Sequence, residues 1–493
     1  MKFDLLVIGS GPAGYAASIK ARRAGLSVCL VEKALAGGVC LNRGCIPTKA
    51  LLYSSSLRLK AAEAALFGVH DTAIHDGADS FDFTKVQRRK LEVVDAIRAN
   101  QIAFIEKSGV SLERGSARIE NAGDEDKTVS ITGDDGESVI VRAKRILIAT
   151  GTKPALIPVA GCDVDGVFTS DDLLGDRGPL FERCFPKLTI IGGGVVGMEF
   201  ASIYSNFGGD VTVIEALPRV LANMDREISQ TLAMILKKRG VNIVTNARLE
   251  KIEKFEKTDA HGGGGLSCFF RIFSEGADAP ETPPQSIASN AVLIAAGRKP
   301  ETAGLFSPDC REAIALTERG YIRVNEAGMT SAAGVYAAGD IASGAAFGMS
   351  AGVQLAHTAT AQAERIVDHI VGKMPAPLGA IPACVYTAPE IACAGLTDGE
   401  AKERGVPAVT GKGVFGGNGR AVIEHQERSF VKLVFHAETK ALIGAQIMCN
   451  HATDIIAWAV QCINAGITAE QIRNSVFAHP TYAETIVQAA ERV

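Results

Sequence analysis

Phe3-Asp4-Leu5-Leu6-Val7-Ile8-Gly9-Ser10-Gly11-Pro12-Ala13-Gly14 decides how the rest of the chain is read. Residues 3–8 form an apolar run suited to a buried strand. Gly9, Gly11 and Gly14 follow in G-x-G-x-x-G order. After them come an alanine-rich helix to about Ala24, a stop at Gly25, and a strand from Ser27 to Val31 ending at Glu32. This completes a strand–turn–helix–strand unit, with its acid 18 positions after the third glycine (14 to 32). Such glycines let N–H groups at a helix N-terminus meet a pyrophosphate, and Glu32 can bind ribose hydroxyls. A bare glycine motif would carry little weight; the strand, helix and acid together make an ordinary glycine turn the lesser reading.

The pattern then repeats. Leu188–Ile191 reads as a strand, followed by Gly192-Gly193-Gly194-Val195-Val196-Gly197, a helix to about Phe207, and a strand from Val211 to Ile214 ending at Glu215. The third glycine and the acid are again 18 apart (197 to 215). Two dinucleotide folds in one chain imply two dinucleotides and electron transfer between them. Arg145–Gly151 and Ala291–Arg298 are short apolar strands that end in glycine or just past it, and they bracket the second unit. They read as returns to the first sheet, with the second domain inserted into the first.

Between the two units lies Gly37-Gly38-Val39-Cys40-Leu41-Asn42-Arg43-Gly44-Cys45-Ile46-Pro47-Thr48-Lys49-Ala50. It runs from a loop into an apolar helical pattern. Pro47 suits the first turn of that helix, where its missing N–H costs nothing. Gly44 permits a tight turn between the sulfurs, so a short disulfide is sterically feasible. A bridge closing so small a loop adds little stability, and a helix N-terminus favours a thiolate when it opens. A reacting disulfide is suggested, although two cysteines five apart also suit buried apolar positions.

Composition sets bounds. A chain of 493 residues is long enough for three or four domains of ~100–200 residues. Apolar residues make up 47% and aromatics 6%, with 52 glycines, which suits a Gly/Ala-rich α/β protein. The net charge of −4 gives no basic face for nucleic acid. No apolar run approaches the ~18 residues of a membrane span. The start runs directly into a strand, so no targeting peptide and a cytoplasmic location are expected. Nine of the eleven cysteines (all but Cys40 and Cys45) show no pairing pattern, and no Cys/His spacing resembles a zinc site. Residues 70–80, 121–137 and 255–290 read as surface turns and mobile loops. From about residue 380 an α+β pattern takes over, with strands expected in 381–396 and 430–435 and a helix over 454–465.

The Gly37–Lys49 wording resembles the redox-disulfide signature of the pyridine nucleotide–disulfide oxidoreductases, most closely that of its dihydrolipoyl dehydrogenase branch. Thr330–Asp340 resembles the family's second flavin motif, and the C-terminal segment its dimerisation domain. The resemblance spans essentially the whole chain. It implies an α/β protein with two Rossmann-like domains, the second inserted into the first, and a C-terminal α+β dimerisation domain. The implied division is 1–153 for FAD, 154–285 for NAD, 286–355 completing the FAD site, and 356–493 for the interface.

It also implies roles. Cys45 would lie nearest the flavin as a thiolate, and Cys40 would exchange with a dithiol substrate. Lys49 would approach the flavin, paired with Glu199. His479 and Glu484, in His-Pro-Thr-x-x-Glu, would form a base–carboxylate dyad acting from the opposite subunit of a homodimer; imidazole suits proton removal near neutral pH. Beside the glycines and acids already named, Gly115, Thr150, Gly151, Gly297, Asp340, Leu355, Ala356 and His357 would contact FAD or NAD. Residues 342–353 make a longer connection than the family's, which would alter how the helix after 354 approaches the flavin. Partners would be lipoylated carrier proteins of 2-oxo acid dehydrogenase or glycine cleavage complexes.

Two features separate the branches. NADPH-dependent glutathione and trypanothione reductases usually carry basic residues where Glu215 stands; an acid there repels a 2′-phosphate. Mercuric reductase and the large thioredoxin reductases carry an extra C-terminal Cys or selenocysteine pair, whereas the last cysteine here is Cys462.

Overall fold

The computed structural model describes residues 2–69, 81–123, 126–175, 184–255, 265–273, 283–344 and 354–493. Strand Lys2–Ile8, helix Pro12–Arg23 and strand Val28–Glu32 form the first unit, with the two strands parallel. Alternate side chains of the first strand feed two cores, as the two-residue period of a strand requires. Leu5 and Val7 pack with Ala13, Ala17 and Leu147, while Leu6 and Ile8 pack on the other face with Ile119, Ile146 and Ile341. Both faces are covered, hence the continuous apolar run.

Among the described residues this sheet has seven strands. Ser111–Arg114, Val28–Glu32, Lys2–Ile8 and Ser138–Ile148 lie side by side and parallel. Lys127–Thr132 and Ser116–Asn121 continue it antiparallel, and Val335–Ala337 returns beside Ser138–Ile148. Lys127–Thr132 is therefore a sheet strand, where turns were expected over 121–137.

The second unit is strand Lys187–Ile191, helix Val195–Asn206 and strand Asp210–Ile214. Its parallel sheet adds Asn242–Val244 on one side, and Ala291–Ile294 and Val167–Thr169 on the other. Ala291–Ile294 thus belongs to the second sheet, pairing with Leu188–Ile191, and does not return to the first. The apolar strand that closes a parallel sheet looks the same whichever sheet it joins. The second sheet consequently runs past the boundary expected at residue 285.

Over 255–290, where loops were expected, Gly265–Ile272 and Gln285–Ser289 join Ala247–Phe255 in an antiparallel sheet. Leu266, Cys268 and Phe270 alternate inward on its middle strand, a signal that the glycine- and proline-rich sequence on either side obscures. Residues 70–80 lie outside the described residues.

Two glycines set how close each helix sits to its strand. A Cβ on Gly14 would lie 1.8 Å from Gly9 O, and one on Gly197 would lie 1.9 Å from Gly192 O. The third glycine of each motif therefore serves helix–strand packing.

The C-terminal part is an antiparallel sheet in the order Ala383–Val385, Glu390–Gly395, Leu442–Cys449, Phe430–His436, Ala408–Val414. Helices Ala452–Ala465 and Glu484–Ala490 pack on it through Ile456, Ala459, Ile486 and Ala489. It is tied to the second unit by ion pairs Lys432–Asp225 (2.5 Å) and Arg239–Glu427 (2.7 Å). Among the described residues no helix is long and apolar enough to cross a membrane.

Candidate active site

Cys40 sits on the short helix Gly38–Arg43, and Cys45 is the first residue of helix Cys45–Glu63. Gly44 joins them at close quarters: a Cβ there would lie 3.0 Å from Val39 O and 3.3 Å from Cys40 Cα. Asn42, almost fully buried, holds the loop closed. Its Nδ2 donates to Ala36 O (3.0 Å) and Gly38 O (2.9 Å), and its Oδ1 accepts from Arg98 Nη1 (3.0 Å).

Both sulfurs are free thiols here and share a hydrogen bond. That bond from Cys40 holds the Cys45 thiol below its ordinary value against the opposing effect of burial, and the Lys49 cation assists. Cys40, whose proton is engaged in the bond and whose sulfur is desolvated, is pushed up. The helix N-terminus at Cys45 favours the same assignment. These effects favour Cys45 over Cys40 as the sulfur that ionises.

Lys49 lies one turn along the Cys45 helix. Its Nζ donates to both carboxylate oxygens of Glu199 at 2.9 Å. Glu199 stands in the first turns of the second unit's helix with a side chain only 4% exposed. Its Oε1 also accepts from the backbone N of Tyr386 at 3.0 Å, and Lys49 Nζ lies 4.5 Å from the centre of the Tyr386 ring. Three distant parts of the chain therefore meet at one ion pair.

Around this pair opens a cavity of about 2780 Å³. Single small-ligand pockets span roughly 300–1,000 Å³, so this one has room for more than one large ligand. Its wall includes Gly9, Gly11 and Glu32 of the first unit, and Gly192, Gly194 and Glu215 of the second. Cys40, Cys45, Lys49 and Glu199 lie along it, as do Gly115, Thr150, Gly151, Gly297, Asp340, Leu355, Ala356 and His357. Gly14 and Gly197 stand behind the wall, in the helix–strand contacts described above. Cys384 is also in the wall, but burial pushes its thiol up to about 11, so it stays protonated at neutral pH.

The polar groups fit two dinucleotides. Glu32 accepts from Ser10 N (2.9 Å), Ser10 Oγ (2.6 Å) and Ala34 N (2.9 Å), which fixes its carboxylate at the strand end. Glu215 is held the same way, by Gly193 N and by Leu217 N (2.7 Å). A Cβ on Gly38 would lie 2.6 Å from Gly11 Cα, so the two glycine loops approach where a side chain would block them. Thr150 Oγ1 is buried with no hydrogen-bond partner among the described residues. Asp340 is buried deeply enough to raise its carboxyl, with Thr152 Oγ1 donating to it at 3.1 Å. Helix Ala356–Ile370 begins in the cavity wall with no side-chain cap, and His357 Nε2 lies 2.8 Å from Pro382 O. Of the longer connection noted over 342–353, residues 345–353 lie outside the described residues.

His479 and Glu484 are brought to each other but not to the cysteines. His479 Nδ1 lies 2.8 Å from Glu484 Oε1, while the His479 side chain is 76% exposed and absent from the cavity wall. Glu484 accepts from Thr481 N at 2.7 Å; that bond first, and His479 second, keep its carboxyl below the usual range. Asn418 supports the loop, its Nδ2 donating to Thr481 O (2.9 Å) and Thr485 Oγ1 (3.1 Å).

Asn42, Tyr386 and Asn418 were missed as site residues. Each acts through a backbone group or another side chain, and no short motif marks that role.

Residues 3–363 match the model of the family described as pyridine nucleotide-disulphide oxidoreductase, and 381–490 match its dimerisation domain. A dihydrolipoyl dehydrogenase of Chlorobaculum parvum is 35% identical over 493 residues, covering 99% of this chain and 96% of the relative. Among solved structures, LpdA of Mycobacterium tuberculosis superposes with a TM-score of 0.85 at 25% identity, covering 99% of each chain. The HOCl-induced flavoprotein disulfide reductase RclA of Escherichia coli gives 0.80 at 26%, covering 99% of this chain and 100% of its own.

The cysteine geometry makes a prediction for the reduced protein. Thiolate absorbance against pH should show one low-lying step belonging to Cys45, absent in Cys45→Ser. Lys49→Met removes the cation that favours the thiolate and leaves Glu199 to oppose it, so the step should move up by about one pH unit or more. An unmoved step would mean that Lys49 does not act on Cys45.

Proposed function

Because the chain belongs to the pyridine nucleotide-disulphide oxidoreductase family, we propose that it is the enzyme that reoxidises protein-bound dihydrolipoyl groups, passing their electrons to NAD⁺. FAD and NAD(H) are the cofactors. One observation carries the reading: a thiol pair, with one sulfur favoured as thiolate, lies in a single cavity shared by both dinucleotide units. FAD, when bound, supplies the two-electron chemistry that links the thiols to the nicotinamide.

Residues of this chain do the rest. The first unit's glycines, Glu32, Thr150, Gly151 and Asp340 hold FAD, with Gly115, Leu355, Ala356 and His357 completing its pocket. Gly192, Gly194, Glu215 and Gly297 hold NAD. Lys49 places a cation, steadied by Glu199, beside the Cys45 sulfur. In the working cycle Cys40 and Cys45 form a disulfide. A substrate thiolate attacks Cys40, the Cys40–Cys45 bond breaks, and Cys45 leaves as the stabilised thiolate. The second substrate sulfur then displaces Cys40, giving oxidised lipoyl and the dithiol protein. Each attack needs a thiol deprotonated, which is the task of His479; Glu484 orients the ring through Nδ1, leaving Nε2 to take the proton.

His479 is solvent-facing and outside the wall around its own cysteines. We assign it to the partner's site in a homodimer, with lipoylated carrier domains as the protein substrates and the cytoplasm as the compartment. Relatives named dihydrolipoyl dehydrogenase over nearly the full length favour this substrate, whereas the likeness to RclA makes reduction of another disulfide the reading to test against. Turnover of dihydrolipoamide with NAD⁺ exceeding NADH-driven reduction of glutathione disulfide or Hg²⁺ supports the first; the reverse order sinks it.

Coenzyme choice follows from Glu215. NAD⁺ should be strongly preferred over NADP⁺ in kcat/KM, and Glu215→Arg should narrow the gap from both sides. Equal efficiency in the unaltered protein would refute the role.

The shared site has its own test. His479→Gln should lose dithiol turnover by roughly 10²–10⁴-fold while NADH still reduces the flavin, and Glu484→Gln should lose less. Mixing Cys40→Ser chains with His479→Gln chains should restore activity, because each heterodimer regains one intact site of two. No recovery under subunit exchange would place the base in its own chain's site.

A further inference from the structure

We propose that Arg298 is a positioning residue that locks the two chain crossings between the dinucleotide folds and so fixes the second fold against the Lys49–Glu199 pair. The inference rests on the reading of that fold as the NAD(H) fold.

The chain leaves the first sheet after Ile148 and enters the second at Val167; it leaves the second after Ile294 and rejoins the first at Val335. These two crossings are zipped together. Thr152–Pro154 pairs antiparallel with Arg298–Pro300, and the ribbon is flanked by Ala155 N to Gly297 O and Glu301 N to Gly151 O, both at 3.0 Å. A two-stranded ribbon this short is marginal by itself and would act as a hinge.

Arg298 braces it on three sides. Its Nε donates to Thr152 Oγ1 (2.9 Å) and its Nη2 to Thr152 O (2.8 Å), binding the two crossings through a side chain as well as the ribbon. Its Nη1 reaches Asp171 Oδ1 at 3.3 Å, with side chains only 14% and 15% exposed. Asp171 lies on helix Ser170–Leu174, which continues directly from the edge strand of the second sheet and is fixed by a capping box between Thr169 and Asp172. Thr152 Oγ1 in turn donates to Asp340 on the first-fold side. One guanidinium therefore joins the ribbon, the second fold's edge and, through Thr152, the buried carboxyl of the first fold. Lys153 and Glu301 pair across the same ribbon at 2.9 Å, and Tyr321 Oη donates to Arg298 O at 3.4 Å. A lysine at 298 could satisfy one of these directions but lacks the planar fork that satisfies three.

Hydride transfer is sensitive to placement, and a 1 Å error costs on the order of 100-fold. Dithiol exchange at Cys40 and Cys45 takes place within the first fold and feels the second only through Glu199's hold on Lys49, so it tolerates a shifted second fold better than hydride transfer does. Flavin-loaded Arg298→Met and Arg298→Lys proteins are compared with the unaltered protein by stopped-flow reduction, once with NADH and once with dihydrolipoamide. Arg298→Met should slow the NADH half-reaction by about 10-fold or more and the dihydrolipoamide half-reaction by clearly less, with Arg298→Lys between. Hydrogen exchange of the amides in 151–155 and 297–301 should quicken in Arg298→Met, with or without cofactors present. Both half-reactions falling together, or ribbon amides exchanging at the original rate, would overturn the clamp. If the unaltered protein is reduced by neither NADH nor dihydrolipoamide, the functional reading fails instead, and the exchange measurement alone decides the clamp.

Discussion

The ion pair of Lys49 with Glu199 is the contact on which the site's geometry depends. Lys49 rides on the helix that Cys45 opens, and Glu199 on the helix that Gly194 opens. The two helices pack along their length through Leu51, Leu52, Phe200 and Tyr204, and Arg58 Nη1 donates to Asn206 O at 2.7 Å further down. Both N-termini consequently face one cavity. Losing either partner would strand a charge, and for a buried one that costs about 3–5 kcal/mol. Glu199, the more deeply buried, bears the larger share. The pair thus does two things at once: it joins the two dinucleotide folds, and it places a cation beside the sulfur that benefits from one.

The C-terminal domain reaches the same point through the backbone of Tyr386. It also grips the second fold through Lys432, Arg239 and their carboxylate partners, so the wall of the cavity is built from three parts of the chain. The His479–Glu484 pair at the far end of that domain is formed within one chain, with the His479 side chain exposed. An assembled pair that lies outside the wall around its own thiols suits the proposed completion of each site by a second subunit.

Much of this was legible because repeats and short motifs are local. The glycine triplets with their acids, the Cys40–Lys49 loop and the His479–Glu484 spacing each lie within a few turns of chain, and their chemistry follows from residue type. The membership of Ala291–Ile294 in the second sheet was not legible, since an apolar parallel strand carries no label for its neighbours. The strands at 265–272 and 285–289 were hidden by adjoining turn-rich sequence that overrode their alternation. Arg298, Tyr386 and Asn418 escaped because their roles exist only after distant segments have met.

The proposed cycle requires Cys45 to be the thiolate facing the flavin and Cys40 the sulfur that meets the substrate. Anaerobic titration of the flavin-loaded protein with one equivalent of dihydrolipoamide tests it most directly. A long-wavelength absorbance from the Cys45 thiolate against oxidised flavin is expected, present in Cys40→Ser without any reductant and missing in Cys45→Ser. A band that survives in Cys45→Ser and vanishes in Cys40→Ser would reverse the two roles, and no band in the unaltered protein would rule out a thiolate beside the flavin.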